Sequence, residues 1–198
     1  MTGAPDNPAA APAEATWPRW SQWFGIATAV AATTFSFLTW SSVSTHLDAT
    51  SPAGMAGAAA NAIEAESGTA WASLPAAVAV LLLVGSGVVA ASPLSARWTT
   101  VRWLSWLGLA AAALVSIVLA WVTLPTVRDV MNALADRFGV PRSTIHDEDV
   151  ATGERFIDIE PGVGLYASLA LTVLSVVASI LAARAAVRPA SGATPPPA

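Results

Sequence analysis

The sequence predicts an all-α membrane protein with four transmembrane helices in a bundle and a small extracytoplasmic cap. Three observations lead to this fold class. Hydrophobic residues make up 55% of the chain and charged residues 11%, a balance outside the usual range of soluble domains. Four long apolar runs contain no Asp, Glu, Lys, Arg or His. Tryptophans lie near the ends of three of these runs.

Each apolar run has about 20 residues, the length that a helix rising about 1.5 Å per residue needs to cross a hydrocarbon core of about 30 Å. The alternative is a bundle of soluble helices, which would carry polar residues along one face of each helix. The second run, LPAAVAVLLLVGSGVVAA, has no such face. The predicted spans are therefore Phe24–Val43, Ala72–Ala91, Trp103–Leu124 and Val163–Ala182.

The tryptophans beside the spans predict contacts with the membrane surface. Indole rings favour the headgroup region at the two ends of a transmembrane helix. We therefore interpret six tryptophans as interfacial anchors. They are Trp20, Trp23, Trp40, Trp71, Trp103 and Trp121.

The chain divides into three regions. Residues 1–20 are mostly Ala, Pro and polar residues, which predict a disordered cytoplasmic arm. Residues 21–188 form the transmembrane domain, and residues 189–198, rich in Pro, predict a disordered cytoplasmic tail. The first apolar run is full length, which is not typical of a cleaved signal peptide.

The basic residues predict the orientation. All nine are Arg, and with both termini inside, five flank the cytoplasmic ends of the spans while the outer loop 44–70 has none. The other outer loop, 125–162, carries four Arg residues among eight acidic residues. We therefore expect both termini in the cytoplasm. Abundant Ala and the use of Arg without Lys suggest a bacterial genome, and hence a bacterial plasma membrane.

The outer loop 125–162 contains the clearest pattern outside the spans. From Thr126 to Phe138 apolar residues recur at a helical period, after a kink or a fresh start at Pro125. This predicts an amphipathic helix whose apolar stripe is an interaction surface, covered by the bundle, the membrane or another protein, with the bundle favoured. The stripe consists of Val127, Val130, Met131, Leu134 and Phe138.

A short strand is predicted further along the same loop. Residues Arg155 to Glu160 alternate between apolar and charged side chains, as a half-buried strand does. A lone strand needs a partner, and the loop 44–70 offers one at His46–Thr50.

The sequence contains no recognisable set of catalytic residues. The chain has no Cys, which excludes disulfides and thiolate chemistry, and no phosphate-binding glycine motif or nucleophilic Ser motif is present. His146, Asp147 and Asp149 form the densest cluster of potential metal ligands, but consecutive residues seldom converge on one ion. A solvated acidic loop is the favoured interpretation, and we expect no cofactor. Sparse basic charge argues against a nucleic-acid partner.

Transport is the alternative that the spans themselves raise. Ion-coupled carriers place ionisable residues inside the membrane, and the predicted spans have none. Gly85-Ser86-Gly87 could break a helix beside a path, yet small residues here and at Gly25 also allow close helix packing, which we favour. The first span is rich in hydroxyls, for example at Thr33 and Thr34. These hydroxyls can bond to their own backbone or to a neighbouring helix.

The order of several short segments resembles a known group. The first span closes on FLTWSSVS, a tight turn reads SARWTTVR, the third span ends in AWVTLP and the fourth opens with GVGLYASLALTV. This layout, over residues 20–188, is similar to that of the small four-helix actinobacterial membrane proteins called tryptophan-operon-associated. The resemblance implies a four-helix membrane protein and transfers no activity and no site residues.

These patterns favour a non-enzymatic accessory or scaffold subunit of the bacterial cell envelope, in contact with the lipid bilayer and another membrane protein. The alternative is a subunit of a small-molecule transporter or channel. A lipid-modifying enzyme would require His146, His46 and nearby acids to meet in one site.

Overall fold

The computed structural model describes residues 18–45, 61–63, 66–92 and 99–187. The helices are α1 (Arg19–Phe35), α2 (Leu74–Ala91), α3 (Thr99–Val122), α4 (Val127–Phe138), α5 (Asp147–Gly153) and α6 (Val163–Val187). The strands are β1 (Thr39–Thr45), β2 (Gly68–Thr69) and β3 (Ile157–Pro161). The predicted arm up to residue 17 and the predicted tail 189–198 lie outside the described residues.

The four long helices form a bundle in which each helix packs mainly against two neighbours. α1 packs on α2, α2 on α3, α3 on α6, and α6 again on α1. The three strands with α4 and α5 gather at one end of this bundle, and we call them the cap. The predicted all-α bundle with a small cap is therefore confirmed in its general form.

Within the described residues, three helices are long and apolar enough to cross a membrane. They are α2, the part of α3 from Thr100 to Val122, and the part of α6 from Val163 to Ala186, close to the second, third and fourth predicted spans. Large apolar side chains on their outer faces are 57–60% exposed at Leu81, Val115 and Leu174. Such exposure costs roughly 25 cal/mol per Å² in water and nothing comparable in lipid, so these faces are typical of a membrane protein.

The first predicted span, Phe24–Val43, is wrong in its second half. α1 ends at Phe35, and from Thr39 onward the chain forms β1. The β1 sequence TWSSVST is rich in β-branched and aromatic residues, which favour a strand once a partner strand is present. In the last turns of α1 the Thr33 and Thr34 hydroxyls donate to backbone carbonyls four residues earlier, as expected for hydroxyls in an apolar helix. Four spans are therefore not shown, since α1 has only 17 residues.

Glycine allows α1 and α2 to touch backbone to backbone. A Cβ atom added to Gly25 would lie 2.5 Å from the carbonyl oxygen of Gly87, and one added to Gly87 would lie 2.5 Å from that of Gly25. Gly25 is early in α1 and Gly87 is late in α2, so the two helices run antiparallel. The packing interpretation of Gly85-Ser86-Gly87 is confirmed at this contact.

A buried hydrogen-bond cluster ties three helices together inside the bundle. The indole N–H of Trp106 in α3 donates to the Ser175 hydroxyl of α6 at 3.0 Å. The Ser86 hydroxyl of α2 lies 3.2 Å from the same oxygen. All three side chains have no exposed surface, so each polar group is satisfied by another helix and not by water.

Arg102 closes the end of the bundle opposite the cap. Its side chain is buried and donates to the carbonyl oxygens of Val89 and Ala90. The last carbonyls of a helix have no partner within the helix, so Arg102 of α3 satisfies the C-terminal end of α2. This guanidinium acts as a helix cap as well as a positive charge beside the bundle.

The strands form one antiparallel sheet in the order β2-β1-β3. The register between β1 and β3 runs from Ser41 opposite Pro161 to Thr45 opposite Ile157. A strand near residues 155–160 is confirmed, but its partner is residues 41–45, and His46–Thr50 lies outside the described residues. The partner of β3 is thus the segment that hydropathy assigned to the end of a span.

Helix α4 is a well-defined element of the cap. It starts afresh after α3 ends at Val122, with a reciprocal capping box between Thr126 and Asp129. It ends at Gly139, whose φ of 68° is the left-handed conformation that glycine adopts most easily. The predicted amphipathic helix from Thr126 to Phe138 is therefore confirmed.

Candidate functional site

A pocket lies where the bundle meets the cap, and we call it the junction pocket. Its volume is about 240 Å³. The first turn of α2, the last turn of α3, the start of α6 and the edge of the sheet surround it. Trp40, Ala76 and Leu165, all buried, contribute apolar surface, while Thr69, Ser73 and Thr123 contribute hydroxyls.

Glu66 is the ionisable residue among the described residues that line the junction pocket. Its side chain is 27% exposed, and one carboxylate oxygen lies 3.7 Å from a guanidinium nitrogen of Arg137 at the end of α4. This separation is longer than a hydrogen bond. The carboxylate therefore feels the positive charge of Arg137 but keeps its acceptor positions for another donor.

A second cavity, of about 230 Å³, lies on the outside of the cap, and we call it the cap groove. Apolar side chains line it, among them Met131, Leu134 and Ile145. Two residues of its rim are exposed, Phe138 at 66% and Val140 at 44%. The cap groove is an apolar surface outside the bundle.

An ion pair holds the chain beside the cap groove in place. Arg142 donates to both carboxylate oxygens of Asp136, at 2.9 Å through its Nε atom. The hydrogen bond from this guanidinium lowers the pKa of Asp136, and the same bond raises the pKa of Arg142. The contact is bidentate and therefore directional, but both side chains are more than half exposed, so it adds only a weak restraint on the chain that follows α4.

The structure divides the predicted interaction stripe between two environments. Val130 is buried, and Val127 and Leu134 are partly buried, against the cap core formed with Val43 and Ile157. The other two residues of the stripe, Met131 and Phe138, line the cap groove, to which Leu134 also contributes. The sequence favours the bundle as the surface that covers this stripe. In the structure, part of the stripe packs on the sheet instead.

The acidic run near His146 is part of a helix start. The carboxylate of Asp149 accepts the backbone N–H of His146 at 2.8 Å, and the carboxylate of Asp147 accepts a hydrogen bond from Arg128. No group of three His, Asp or Glu residues suited to a metal ion occurs among the described residues. His46, the other residue proposed to join such a site, lies outside them.

The tryptophans predicted as anchors fall into two groups. Trp20, Trp23, Trp71 and Trp121 are exposed and Trp103 is half-buried, as expected beside lipid headgroups. The prediction for Trp40 is wrong, because its side chain is 3% exposed. Its indole N–H donates to the carbonyl of Phe35 at 2.9 Å, and its ring packs over Gly164, where a Cβ atom would lie 2.6 Å from it.

Sequence reasoning did not find the junction pocket. Its walls come from segments far apart in the chain, and no short motif marks a cavity of that kind. Nothing around Glu66 in the sequence marks it as a site residue. The one available signal was TWSSVST after Phe37, where hydroxyls and β-branched residues interrupt the apolar run.

Comparison with known proteins adds no relative. No family model matches the chain, and neither a curated protein nor a solved structure is similar to it. The resemblance to the tryptophan-operon-associated membrane proteins stays a prediction from the layout of the sequence.

Proposed function

We propose that this chain is a non-enzymatic accessory subunit of the bacterial plasma membrane, which binds an extracytoplasmic segment of a partner protein in its cap groove. The observation that carries the proposal is the exposure of Phe138 and Val140 beside an apolar cavity of about 230 Å³. On the bundle, lipid accounts for exposed apolar side chains. On the cap, exposed apolar side chains gathered at a cavity are typical of a binding surface.

The shape of the cap groove supports a preformed site. α4 is held at its start by the capping box and at its end by Gly139. Beyond that glycine, Arg142 holds the returning chain against Asp136. A partner would therefore bind without first ordering α4, which lowers the entropic cost of association.

The charge of the cap indicates what kind of partner fits. Residues 125–162 contain eight acidic residues and four Arg residues. Anionic lipid headgroups would be repelled by such a surface, which favours a protein over the membrane surface. The partner should present an apolar side chain, aromatic or aliphatic, with Lys or Arg residues beside it.

The topology belongs to the same proposal. We place α1 across the membrane as a fourth, shorter span, because it packs antiparallel to α2 from Gly25 at one end of the bundle to the cap at the other. Both termini then lie on the cytoplasmic side. Arg19, Arg102 and Arg184 support this orientation, since all three belong to the end of the bundle opposite the cap.

A transporter or channel subunit is the second candidate. Two hydroxyls inside the bundle, those of Thr28 and Ser168, are buried and have no hydrogen-bond partner among the described residues. Hydroxyls that line a water path would show the same pattern, because water would be their partner. Against this candidate, Gly87 packs on Gly25 and the position of Gly85 faces Leu109 at 3.7 Å. The glycines therefore serve contacts between helices, and a path would need water beside Thr28.

The test uses a photo-reactive phenylalanine analogue at position 138 in living cells. Phe156, also exposed and also in the cap but not among the residues that line the groove, provides the matched control position. We expect a cross-link to one defined protein from position 138 and not from position 156. The cross-linked peptide should contain an apolar residue beside Lys or Arg.

A pair of substitutions completes the test. Phe138→Glu should release the partner during purification in mild detergent, while Phe156→Glu should retain it, with both variants monodisperse by size exclusion. Cross-links from position 138 to lipid alone, or only to a second copy of this chain, would overturn the proposal. Retention of the partner by Phe138→Glu would do the same.

A further inference from the structure

We propose that the junction pocket binds a primary ammonium group attached to a short apolar body, with the Glu66 carboxylate as the counter-ion. The proposal is independent of the cap groove, which lies elsewhere on the cap. It rests on the partly enclosed shape of the pocket, the division of its walls into apolar and polar parts, and the position of one carboxylate.

The apolar part of the pocket gives space for a hydrocarbon body. Trp40, Ala76 and Leu165 are each no more than 3% exposed, so this wall belongs to the packed interior of the protein. Ala120 and Leu124 of the α3 end complete this surface. Small side chains at Ala76 and Ala120 leave the volume that larger residues would occupy.

The polar part of the pocket is suited to a donor with several hydrogens. Glu66 offers a carboxylate that only accepts hydrogen bonds while ionised, and the hydroxyl oxygens of Thr69, Ser73 and Thr123 can also accept. An ammonium group has three donors and no acceptor. The match favours a primary amine over an alcohol, and it disfavours a carboxylate or phosphate, which Glu66 would repel.

Arg137 does not occupy the position that the ammonium group would take. Its nitrogen stays 3.7 Å from the Glu66 carboxylate, and its side chain is 53% exposed. An exposed ion pair of this length contributes little to stability. A ligand held inside the pocket can therefore bind Glu66 without breaking a strong contact.

The location allows two sources for such an amine. The pocket adjoins the start of α2 and the end of α3, two helices that are apolar enough to cross a membrane, so the amine headgroup of a phosphatidylethanolamine lipid can reach it. A free alkylamine presents the same primary ammonium group. The experiment separates the two.

The first measurement is calorimetric titration of the full-length protein in phosphatidylcholine nanodiscs with hexylammonium chloride, and with hexanol as the uncharged analogue. We expect saturable binding of hexylammonium and at least tenfold weaker binding of hexanol. Glu66→Gln should weaken the binding of hexylammonium at least tenfold. Glu148→Gln, which removes an exposed acid on α5, is the matched control and should bind as the unaltered protein does.

A second variant tests the cavity itself. Ala72 lines the pocket and is exposed, so Ala72→Phe can fill the space without disturbing the buried core. It should abolish binding of both hexylammonium and hexanol, whereas Glu66→Gln should remove only the preference for the ammonium group. Binding by Ala72→Phe, binding by Glu66→Gln at full affinity, or equal affinity for hexanol would each overturn the proposal.

Nanodiscs that contain phosphatidylethanolamine as well as phosphatidylcholine identify the source. If the lipid headgroup is the ligand, the apparent affinity for hexylammonium falls at least threefold, because the lipid competes for Glu66. If the ligand is a free amine, the affinity is the same in both kinds of disc. Both lipids are zwitterionic, so the surface charge of the disc does not change between the two titrations.

Discussion

Gly25 and Gly87 determine how closely α1 approaches α2. At each position the backbone of the other helix occupies the place where a side chain would begin, with the nearest oxygen 2.5 Å from the added Cβ atom. Backbone atoms cannot move aside as the end of a flexible side chain can. The two helices must therefore separate if either glycine is replaced, and every side chain between them loses packing.

We predict that Gly25→Ala destabilises the protein by about 1–3 kcal/mol, the usual range for overpacking. Gly108→Ala is the matched control, since an added Cβ atom there meets nothing within 4 Å and alanine favours the helix by up to about 1 kcal/mol. The measurement is unfolding in mixed detergent micelles, followed by circular dichroism. Equal stability of the two variants would show that α1 and α2 do not touch as described.

Trp40 shows that the place of a tryptophan in the sequence does not determine whether its side chain lies at the membrane surface. An indole next to an apolar run predicts an interfacial anchor, and Trp71 and Trp121 at the cap end are exposed as that pattern predicts. Trp40 has the same sequence context but is buried, because Gly164 leaves room for its ring and the Phe35 carbonyl accepts its N–H. The difference depends on a helix more than a hundred residues later in the chain.

Among the helices, α4 is the element whose ends the sequence specifies most completely. Thr126, Asp129 and Gly139 are all local signals for a helix start or stop, and each one acts as such. The Asp129 carboxylate accepts the Thr126 backbone N–H at 2.8 Å and its hydroxyl at 2.7 Å. These two hydrogen bonds lower the pKa of Asp129.

The lowered pKa predicts how the stability of α4 depends on pH. A carboxyl whose pKa is lower in the folded state stabilises the fold above its ordinary pKa of about 3.9, and this stabilisation is lost as the pH falls through the lowered value. The midpoint of thermal unfolding should therefore drop on acidification below about pH 4.

This drop should be largest in the unaltered protein, smaller in Thr126→Ala and smallest in Asp129→Asn. Thr126→Ala should also cost about 1 kcal/mol at neutral pH. Identical acid profiles for all three proteins would contradict the role of the capping box.

Strand β1 marks the limit of prediction from hydropathy. The run from Phe24 to Val43 has the length and composition of a span, and its one local sign of a strand, the hydroxyl and β-branched residues from Thr39 onward, does not by itself end a helix. What decides the outcome is the register with β3, five residue pairs from Ser41 opposite Pro161 to Thr45 opposite Ile157. Long-range pairing of this kind is not visible in a local pattern. The junction pocket depends on another long-range pairing, that of β1 with β2 at Ser41 and Gly68, so it could not be predicted either.

For the molecule as a whole, the position of α1 decides how many times the chain crosses the membrane. Its 17 residues extend about 25 Å at the helical rise, slightly less than a hydrocarbon core of about 30 Å. In the proposed topology, packing against the other helices compensates for the short length. One face of α1 is buried against the bundle at Ser21, Thr28 and Ala32, while Val30 on another face is exposed, as expected beside lipid.

The absence of Cys from the sequence makes single-cysteine labelling a direct test of the crossing. We predict that Ser143→Cys in the cap reacts with a membrane-impermeant maleimide in intact cells. Arg19→Cys, at the start of α1, and Ala185→Cys, near the end of α6, should react only after the membrane is made permeable. All three positions are exposed on the protein surface. Reaction of Arg19→Cys and Ala185→Cys after permeabilisation serves as the control that lipid does not cover them.

The pattern of labelling separates the two parts of the topology. If Arg19→Cys reacts together with Ser143→Cys, α1 does not cross, and the contact between Gly25 and Gly87 must form in some other arrangement. If Arg19→Cys and Ala185→Cys react in intact cells while Ser143→Cys does not, α1 crosses but the orientation is reversed. In that case the cap, its groove and the Glu66 pocket face the cytoplasm, and a partner or an amine must be sought there.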